Sequence, residues 1–334
     1  MKIGIRGYYG FGNFGDELFL ETFKQVFHSH KVFPLIDPIN RFDCDRVIVG
    51  GGDLIIPYSF NPSYFPNELL QVKNWVYGVG IVDFYPEHTW PKEEVNKYRN
   101  IISQSEGLYV RDANSKKLAT NMKLHSGIIE QVPDIAFSYK QPSFPIVKNP
   151  LETNVGFCPF AYKDFPLTKM TNILATISKK KNYRISIISV VDNKNKYSDL
   201  SVCNTLMERI LKINPNARIS VIEYKYLDVT YSFIQSLDFL ISFKLHPSLV
   251  AIRNSIPTFC FSKLSKVTSL LSDFNISEFY SDYEAPQQQI QTKIEDFLKI
   301  GPNKMSTLGT KIKIVEKLSD EKIQKLKTEV LKAN

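Results

Sequence analysis

The stretch FKLH, residues 243–246, places a lysine and a histidine two positions apart at the end of the apolar run FLISF. A histidine side chain titrates near neutral pH, so it can both donate and accept a proton during a reaction. Of the five histidines, His246 is the one that follows a predicted strand and opens a predicted helix. We therefore predict that His246 is catalytic and that Lys244 supplies a positive charge for an anionic ligand.

Two further cations follow predicted strands. Arg111 ends the run GLYVR, and its planar guanidinium can bind a phosphate or carboxylate through two parallel hydrogen bonds. An ordinary salt bridge is the alternative role for Arg111. Lys266 begins the helix that follows the strand IPTFCF, and a solvated surface charge is its alternative role.

The first glycine-rich loop, GYYGFGNFGDE at residues 7–17, has the spacing G-x-G-x-x-G. Gly10, Gly12 and Gly15 supply the three glycines, and a strand precedes them as in dinucleotide-binding folds. Asp37 stands where such folds carry an acid for the ribose. A nicotinamide dinucleotide site is therefore one interpretation of this loop.

Two features weaken the dinucleotide interpretation. Residues 7–9 precede the motif, so the tight turn from strand to helix is absent. Asp16 and Glu17 fall where a pyrophosphate would meet the helix N-terminus, and two carboxylates there would repel it. We favour the pattern N-x-G-D at residues 13–16, in which Asp16 caps the helix and the flexible backbone surrounds a polar ligand.

The second glycine-rich loop ends the buried strand RVIVGGGDLI, residues 46–55. Its three consecutive glycines, residues 50–52, allow close backbone approach and unusual dihedral angles. Asp53 is predicted to cap the next element. Because two glycine-rich loops follow neighbouring strands, we expect one rim that contacts a ligand.

Strands and helices alternate around these residues. The predicted strands are KIGIR, VFPLI, RVIVGGG, VYGVGI and GLYVRD, then NVGFCPF, YRISIISVV, ARISVIE, FLISF and IPTFCFS. The predicted helices are 16–28, 92–106, 115–125, 168–181, 197–213, 229–236, 246–254 and 266–273. A proline-rich stretch at 139–154 is the candidate linker. The chain is predicted to be helical from about 286, with an apolar stripe at 314, 315, 318, 323, 326 and 330 that docks on the body.

Such alternation predicts parallel sheets covered by helices, and hence the α/β class. We predict two doubly wound Rossmann-like domains at 1–145 and 151–300, followed by a helical tail at 301–334. Ligands bind outside the carboxyl ends of parallel strands, so the active site is expected in the cleft between the two domains.

Composition bounds the partners. The chain has 334 residues and is 43% hydrophobic, which is enough for two cores, and no apolar run approaches the ~20 residues of a membrane span. The four scattered cysteines and the absence of a secretory pattern favour a reduced, cytoplasmic protein without a metal site. The net charge of +8 favours anionic partners, although the lysines are spread and no nucleic-acid motif is present. The Lys-rich tail is predicted to form a solvated helix face, with contact with the inner face of a membrane as the alternative.

Five motifs occur in a fixed order along the chain. They are NxGD, GGGDL, VRD before a helix that opens at serine, PD-x-A-F at 133–137, and S-x-[RK]-L-H followed by a helix and IP. Together, over residues 3–272, they resemble the polysaccharide pyruvyl transferase family. The resemblance implies a fold similar to the GT-B glycosyltransferases. It also implies transfer of pyruvate from phosphoenolpyruvate to sugar hydroxyls, usually as a cyclic ketal on a surface-polysaccharide precursor.

The same resemblance suggests the roles of the donor-side residues. Arg111, Lys244 and Lys266 are expected to bind the phosphate and the carboxylate of phosphoenolpyruvate, and His246 is expected to protonate its methylene carbon. The family commonly has arginine at position 244, and the lysine in this chain offers a point charge in place of a fork. No metal or other cofactor is expected beyond phosphoenolpyruvate as co-substrate.

The acceptor is expected on the N-terminal domain. Asp134 and Asp16 are predicted to hold or deprotonate its hydroxyls. Further acceptor-binding residues are predicted in the two glycine-rich loops, where aromatic rings, including those of Phe11 and Phe14, offer faces to a sugar. These residues are Tyr8, Tyr9, Asn13, Gly51, Gly52 and Asp53.

Two other functions stay open on the sequence alone. A nucleotide-sugar glycosyltransferase is the first alternative, because a GT-B-like architecture hosts both reactions. A non-catalytic protein that binds sugars or anions is the second, and the lysine at position 244 suggests it. Membrane contact by the Lys-rich tail would suit a saccharide acceptor that is linked to a lipid.

Overall fold

The computed structural model describes residues 1–36, 43–142, 144, 146, 148–192, 194–262 and 265–333. Asp37, the acid of the dinucleotide interpretation, lies outside the described residues. The chain divides into two compact units. Unit 1 comprises Met1–Gly10, Gly15–Lys140 and Ile314–Asn334, and unit 2 comprises Phe11–Phe14 and Gln141–Lys313.

The strands and helices alternate along most of the chain. Those up to residue 131 are β1 (Lys2–Arg6), α1 (Phe14–Val26), β2 (Lys31–Pro34), β3 (Arg46–Ile55), β4 (Asn74–Ile81), α2 (Lys92–Ile102), β5 (Leu108–Val110), α3 (Ala113–Asn121) and β6 (Ile129–Gln131). Those that follow are β7 (Thr153–Cys158), α4 (Leu167–Ser178), β8 (Tyr183–Ile188), α5 (Leu200–Ile213), β9 (Arg218–Ile222), α6 (Leu227–Gln235), β10 (Phe239–Ser242), α7 (Leu245–Arg253), β11 (Thr258–Phe261), α8 (Ser265–Asp273), β12 (Tyr280–Ser281), α9 (Gln287–Ser306) and α10 (Gly309–Lys332).

The sheet of unit 1 has the strand order β2-β1-β3-β4-β5-β6, and every pair in it is parallel. Its central strands carry apolar residues on both faces, as expected of a sheet that helices cover on both sides. The strand order reverses direction between β1 and β3. Ligands bind at such switch points, beyond the carboxyl ends of the strands. Both glycine-rich loops lie there.

The sheet of unit 2 has the order β12-β11-β10-β7-β8-β9, again with parallel pairs throughout. Counted from β7, this is the order 3-2-1-4-5-6 of dinucleotide-binding Rossmann folds. Its switch point lies between β7 and β10. The FKLH stretch follows β10 and therefore lies at this switch point.

The tip of the first glycine-rich loop belongs to unit 2. Phe14 N–H donates to the carbonyl of Val190 at 3.0 Å, and Asp192 N–H donates to the carbonyl of Gly12 at 2.7 Å. Asn13 forms an isolated antiparallel bridge with Val191. The backbone of this tip is therefore held by strand-like hydrogen bonds rather than left open.

The predicted α/β class with two parallel sheets is confirmed, two local predictions are wrong, and one strand was missed. α1 begins at Phe14, because the Val190 carbonyl takes the first N–H, so Asp16 lies within the first turn and is not the N-cap. β3 continues through the glycines to Ile55, so Asp53 is a strand residue and caps nothing. The short strand β12 carries no sequence pattern and was not predicted.

The C-terminal helix α10 packs against unit 1 through part of its predicted stripe. Ile323, Leu326 and Val330 are buried, whereas Ile314 and Leu318 are exposed. Ser319 is buried in their place because its hydroxyl hydrogen-bonds that of Ser138 at 2.7 Å.

Two lysines of α10 are paired with an acidic residue of unit 1. Lys322 and Lys325 both form ion pairs with Glu130 on β6, the second at 2.9 Å. Among the helices that the structure describes, none combines the length and apolarity needed to cross a bilayer.

Candidate active site

The turn from β10 to α7 is held by two serine hydroxyls. Lys244 N–H donates to Ser242 Oγ at 2.9 Å, and Ser242 Oγ in turn donates to the Lys244 carbonyl at 2.9 Å. The Ser248 hydroxyl donates to the same carbonyl at 2.7 Å. These bonds fix the backbone of Lys244 on both sides, and Ser242 is the serine of the S-x-[RK]-L-H motif.

An aromatic cluster packs against the same turn. Phe243 stacks on Phe261 with ring centroids 4.6 Å apart and also contacts Phe160, Phe165 and Tyr283. Because Phe243 is buried among these rings, the residues beside it cannot shift without moving the cluster. This packing therefore restricts movement of the turn that carries the charged side chains.

Lys244 occupies the N-cap position of α7, with extended backbone dihedrals and no side-chain cap. An ammonium cannot accept a hydrogen bond from the helix N–H groups, unlike the serine or aspartate usual at this position. The positive end of the helix dipole and the lysine charge therefore add together. An anion is the ligand that suits this arrangement.

The Lys244 ammonium has one strong partner inside unit 2. Its Nζ donates to Asp199 Oδ1 at 3.0 Å. The Asp199 side chain has no exposed surface, whereas 23% of the Lys244 side chain remains exposed. The pair thus joins a buried carboxylate to a cation that still reaches the surface.

The Asp199 carboxyl lies at the start of α5, after the loop that follows β8. Burial raises its pKa, while Lys244 and the backbone N–H groups of Val190 and Ala161 act in the opposite direction. Sequence reasoning did not select Asp199, because it stands 45 positions before Lys244 and belongs to no motif.

His246 lies in the first turn of α7 and is half-buried. It is followed by Pro247, which has no N–H and favours the first turn of a helix. Lys266 lies in the first turn of α8 and is also half-buried. Because β10 and β11 are neighbours in the sheet, α7 and α8 both begin at its carboxyl edge, so this edge carries all three predicted residues of unit 2.

Arg111 in unit 1 is buried and surrounded by carboxylates. Its guanidinium forms an ion pair with Asp53, and its Nε lies 3.8 Å from Asp112 Oδ2. Only 4% of the Arg111 side chain is exposed. Burial lowers the pKa of Arg111, but the charges of Asp53, Asp134 and Asp112 outweigh it and raise the pKa. Its role in donor binding stays a prediction.

Two of these aspartates also cap local elements. Asp112 is the N-cap of α3 and accepts from Ser115 N–H at 2.7 Å, which accounts for the serine of the VRD motif. Asp134 accepts from Ala136 N–H at 2.9 Å. Burial raises the pKa of Asp134, whereas the charge of Arg111 opposes that shift. A buried carboxyl with a raised pKa is a candidate proton acceptor.

The two glycine-rich loops are joined through Tyr9. Its ring is 1% exposed, and its hydroxyl donates to the carbonyl of Gly50. Burial, followed by the charges of Asp16 and Glu17, raises the Tyr9 pKa. Tyr9 therefore holds the two loops together from inside.

The remaining residues of the two glycine-rich loops differ in their contacts and exposure. Glu17 accepts from Gly10 N–H at 2.7 Å. A Cβ on Gly52 would lie 3.1 Å from Asp16 Oδ1, so the Asp16 carboxylate approaches the GGG segment. Tyr8 and Asn13 are half-buried, and Phe11 is 47% exposed.

The structure thus forms three groups from the predicted residues. Tyr9, Asp16 and the glycines of β3 form one group in unit 1. Arg111, Asp53 and Asp134 form a second, together with Asp112. Lys244, His246 and Lys266 share the carboxyl edge of unit 2 with Asp199.

Comparison with known proteins identifies the class. A family model described as polysaccharide pyruvyl transferase matches residues 13–263, about three quarters of the chain. The chain belongs to the polysaccharide pyruvyl transferase family, and the resemblance inferred from the five motifs is confirmed. Direct comparison with curated protein sequences found no match.

Several solved structures with a similar fold contain UDP or a UDP-sugar. The S. aureus MnaA–UDP structure has a TM-score of 0.61 at 12% identity and covers 94% of each chain. Anabaena Alr3699/HepE in complex with UDP and glucose has a TM-score of 0.57 at 12% identity, covering 97% of this chain and all of the other. The UDP-GlcNAc 2-epimerase from Neisseria meningitidis bound to UDP-GlcNAc has a TM-score of 0.58 at 10% identity and covers 95% and 99%. They are similar in fold, and the two predicted Rossmann-like, GT-B-like domains are confirmed.

Proposed function

We propose that the protein transfers pyruvate from phosphoenolpyruvate to two hydroxyls of one sugar residue, forming a cyclic ketal on a polysaccharide precursor. The observation that carries this proposal is the β10–α7 turn. There Lys244 and His246 open a helix at the switch point of a Rossmann-like sheet, within the span that matches the family. A cation, a proton donor and a helix N-terminus suit a small donor that bears two anionic groups.

The reaction begins with proton transfer from the His246 imidazolium to the methylene carbon of the donor. That carbon becomes a methyl group, and positive charge develops on the central carbon. A sugar hydroxyl oxygen bonds to the central carbon. The bond from this carbon to the phosphate oxygen then breaks, with its electron pair leaving on the phosphate, and a second hydroxyl closes the ring.

The protons balance over the two additions. Two hydroxyl protons are released, one of which replaces the proton given to the methylene carbon, while the other ends on the departing phosphate. Lys244, with Lys266 and Arg111 as further cations, stabilises the charge that develops on the leaving group. Asp134 or Asp16 accepts a hydroxyl proton, and the raised pKa of Asp134 supports its role as that base.

The experiment is incubation of the purified chain with phosphoenolpyruvate and a panel of candidate glycans. The expected result is release of inorganic phosphate that depends on the glycan, and a product heavier by one pyruvate less one water. Acid treatment should remove the added mass, because ketals hydrolyse in acid. Absence of phosphate release with every glycan in the panel would contradict the proposal.

A nucleotide-sugar glycosyltransferase remains the alternative, favoured by the UDP and UDP-sugar ligands of the solved structures with this fold. Thermal unfolding separates the two. Phosphoenolpyruvate should raise the midpoint in a concentration-dependent way, since it binds the folded chain only. Stabilisation by UDP-sugars without any by phosphoenolpyruvate would favour the alternative.

A further inference from the structure

Three aromatic residues, named the aromatic ledge, follow strands at the carboxyl edge of the unit 1 sheet. Tyr58 follows β3, and Phe84 and Tyr85 follow the neighbouring strand β4. Tyr58 and Tyr85 meet edge to face, with ring centroids 4.8 Å apart. Phe84 is 61% exposed and Tyr85 is 57% exposed, so the aromatic ledge presents rings to solvent. No sequence motif selected these three residues.

The aromatic ledge is anchored on its inner side. Tyr58 packs against the hydrophobic core of unit 1, which fixes its ring. The carbonyl of Tyr85 accepts a hydrogen bond from the indole of Trp90 at 2.9 Å, and Trp90 is buried. The ring of Tyr58 and the backbone of Tyr85 are therefore held in place by buried neighbours. Such pre-organisation lowers the entropy that a ligand must overcome.

Polar groups border the aromatic ledge. Asn114 Nδ2 donates to Asp83 Oδ2 at 2.9 Å, and Asp83 directly precedes Phe84. Asp53 pairs with Arg111 nearby. Burial raises the pKa of the Tyr58 hydroxyl, and the charges of the Tyr85 hydroxyl and of the Asp53 and Asp83 carboxylates raise it further.

This combination favours one kind of ligand. The CH face of a pyranose ring stacks on an aromatic face, and its hydroxyls donate to carboxylate and amide oxygens. The two bordering carboxylates disfavour a phosphate or another anion here. The aromatic ledge thus differs in charge from the Lys244 edge, which suits an anion.

We propose that the aromatic ledge formed by Tyr58, Phe84 and Tyr85 is a saccharide subsite that binds a neutral pyranose ring of the acceptor through ring stacking and hydrogen bonds to Asp83 and Asn114. This proposal rests on the proposed function only where it identifies the bound sugar as part of the acceptor. Saccharide binding at the aromatic ledge is tested without phosphoenolpyruvate, so the two proposals fail separately.

Saturation-transfer NMR detects binding of five disaccharides, and their dissociation constants are measured. The disaccharides are lactose, cellobiose, maltose, mannobiose and N-acetyllactosamine. The full-length chain is compared with Phe84→Ala and Tyr85→Ala. At least one disaccharide should bind the wild type, and each alanine variant should weaken it about three- to tenfold, the range for loss of one aromatic contact. Phe84→Tyr and Tyr85→Phe keep an aromatic face and should keep the affinity.

Tyr226→Ala is the matched control, because Tyr226 is 67% exposed and lies in unit 2. It should leave the dissociation constant unchanged. Since the substituted rings are exposed, the unfolding midpoint should stay that of the wild type in every variant. Absence of binding by all five disaccharides, or equal affinity in the wild type and in both ledge alanine variants, would overturn the proposal.

Discussion

Lys244 Nζ lies 3.0 Å from Asp199 Oδ1, and Asp199 is completely buried while Lys244 still reaches the surface. A buried carboxylate beside a partly exposed cation restricts where that cation can point. Asp199 is therefore a positioning residue for Lys244. A substitution that removes one charge of this pair and leaves the other should therefore destabilise the fold.

Lys244→Met removes the partner of the buried Asp199 carboxylate. We expect the free energy of unfolding at neutral pH to fall by about 3 kcal/mol, because an uncompensated buried charge remains. Burial already raises the pKa of Asp199, and loss of the ammonium raises it further. A carboxyl with a raised pKa favours folding at low pH, and this contribution is lost as pH rises from the unfolded value toward the folded one. The loss of unfolding free energy caused by Lys244→Met should thus be small near pH 4 and should grow toward neutral pH.

Urea unfolding of four chains measures this coupling: wild type, Lys244→Met, Asp199→Asn and the double variant. The double variant should be more stable at neutral pH than Lys244→Met alone, because it contains no buried unpaired charge. It should also lack the pH-dependent deficit. If the two single effects on the free energy of unfolding simply add in the double variant, Lys244 and Asp199 are not energetically coupled, which would contradict this prediction.

Lys244→Arg tests whether charge or shape matters at this edge. Arginine keeps the charge and adds a planar fork that binds two oxygens at once, and it can still reach Asp199. We expect the variant to fold and to keep or increase its affinity for phosphoenolpyruvate, measured by calorimetric titration. Lys244→Gln, similar in length but uncharged, is the control and should bind the donor more weakly. Complete loss of binding in Lys244→Arg would show that the site is shaped around an ammonium.

Much of the fold could be predicted because its signals are local. Buried parallel strands are continuous apolar runs, and β1, β3 and β10 stand out between glycine, aspartate and proline. Helix ends were less accurate, since tertiary hydrogen bonds decide them. α1 starts at Phe14 because the Val190 carbonyl, nearly 180 positions away, takes its N–H. No local pattern encodes such a contact.

The candidate site could be predicted only where its residues share a local motif. Lys244 and His246 stand in one motif, whereas Asp199 reaches Lys244 only through the folding of unit 2. The sequence marks Arg111 as a cation but not as one buried between carboxylates. Tyr9 and Tyr85 are indistinguishable as loop tyrosines, yet one is buried and the other is exposed. Burial of a single loop residue depends on long-range packing, which composition and spacing do not encode.

Acid should loosen α10 through Glu130. Burial opposes the ionisation of this carboxyl, but hydrogen bonds from Lys322 and Lys325 outweigh burial and lower its pKa below the ordinary 4.5. A lowered carboxyl pKa contributes stability that is present above the unfolded value and is lost as pH falls through the folded value. Glu130→Gln should cost about 0.5–1 kcal/mol at pH 7, the range for solvent-screened pairs, and less at pH 3.

Hydrogen exchange of α10 at the two pH values provides the measurement. At pH 7, exchange at residues 319–332 should be faster in Glu130→Gln than in the wild type. Glu321→Gln removes a more exposed partner at 3.8 Å from Lys317 and serves as the control, with no change expected. Equal protection of α10 in the wild type and Glu130→Gln at pH 7 would argue against this role.

Gly51 is required by the crossing of β3 and α1. Its φ is +73°, and a Cβ there would overlap the ring of Phe19. Gly51→Ala should destabilise the chain by about 2 kcal/mol or more, since it combines backbone strain with overpacking. Gly309→Ala is the control, because a Cβ at Gly309 meets nothing within 4 Å and alanine favours the helix. Thermal unfolding of both variants measures the difference, and equal midpoints would contradict the assignment.

His246→Ala separates proton transfer from donor binding. The rigid β10–α7 turn holds Lys244 through Ser242 and Ser248, and neither hydrogen bond involves the imidazole. We therefore expect calorimetric titration to show affinity for phosphoenolpyruvate within a few-fold of wild type. Glycan-dependent phosphate release should fall by about 10²–10⁴-fold, the usual contribution of a general acid. His246→Gln keeps a polar side chain without an acid and should be equally slow, whereas His28→Ala changes an exposed histidine after α1 and should be fully active. Wild-type turnover in His246→Ala would remove the histidine from the mechanism, and loss of donor affinity with unchanged turnover at saturation would make it a binding residue.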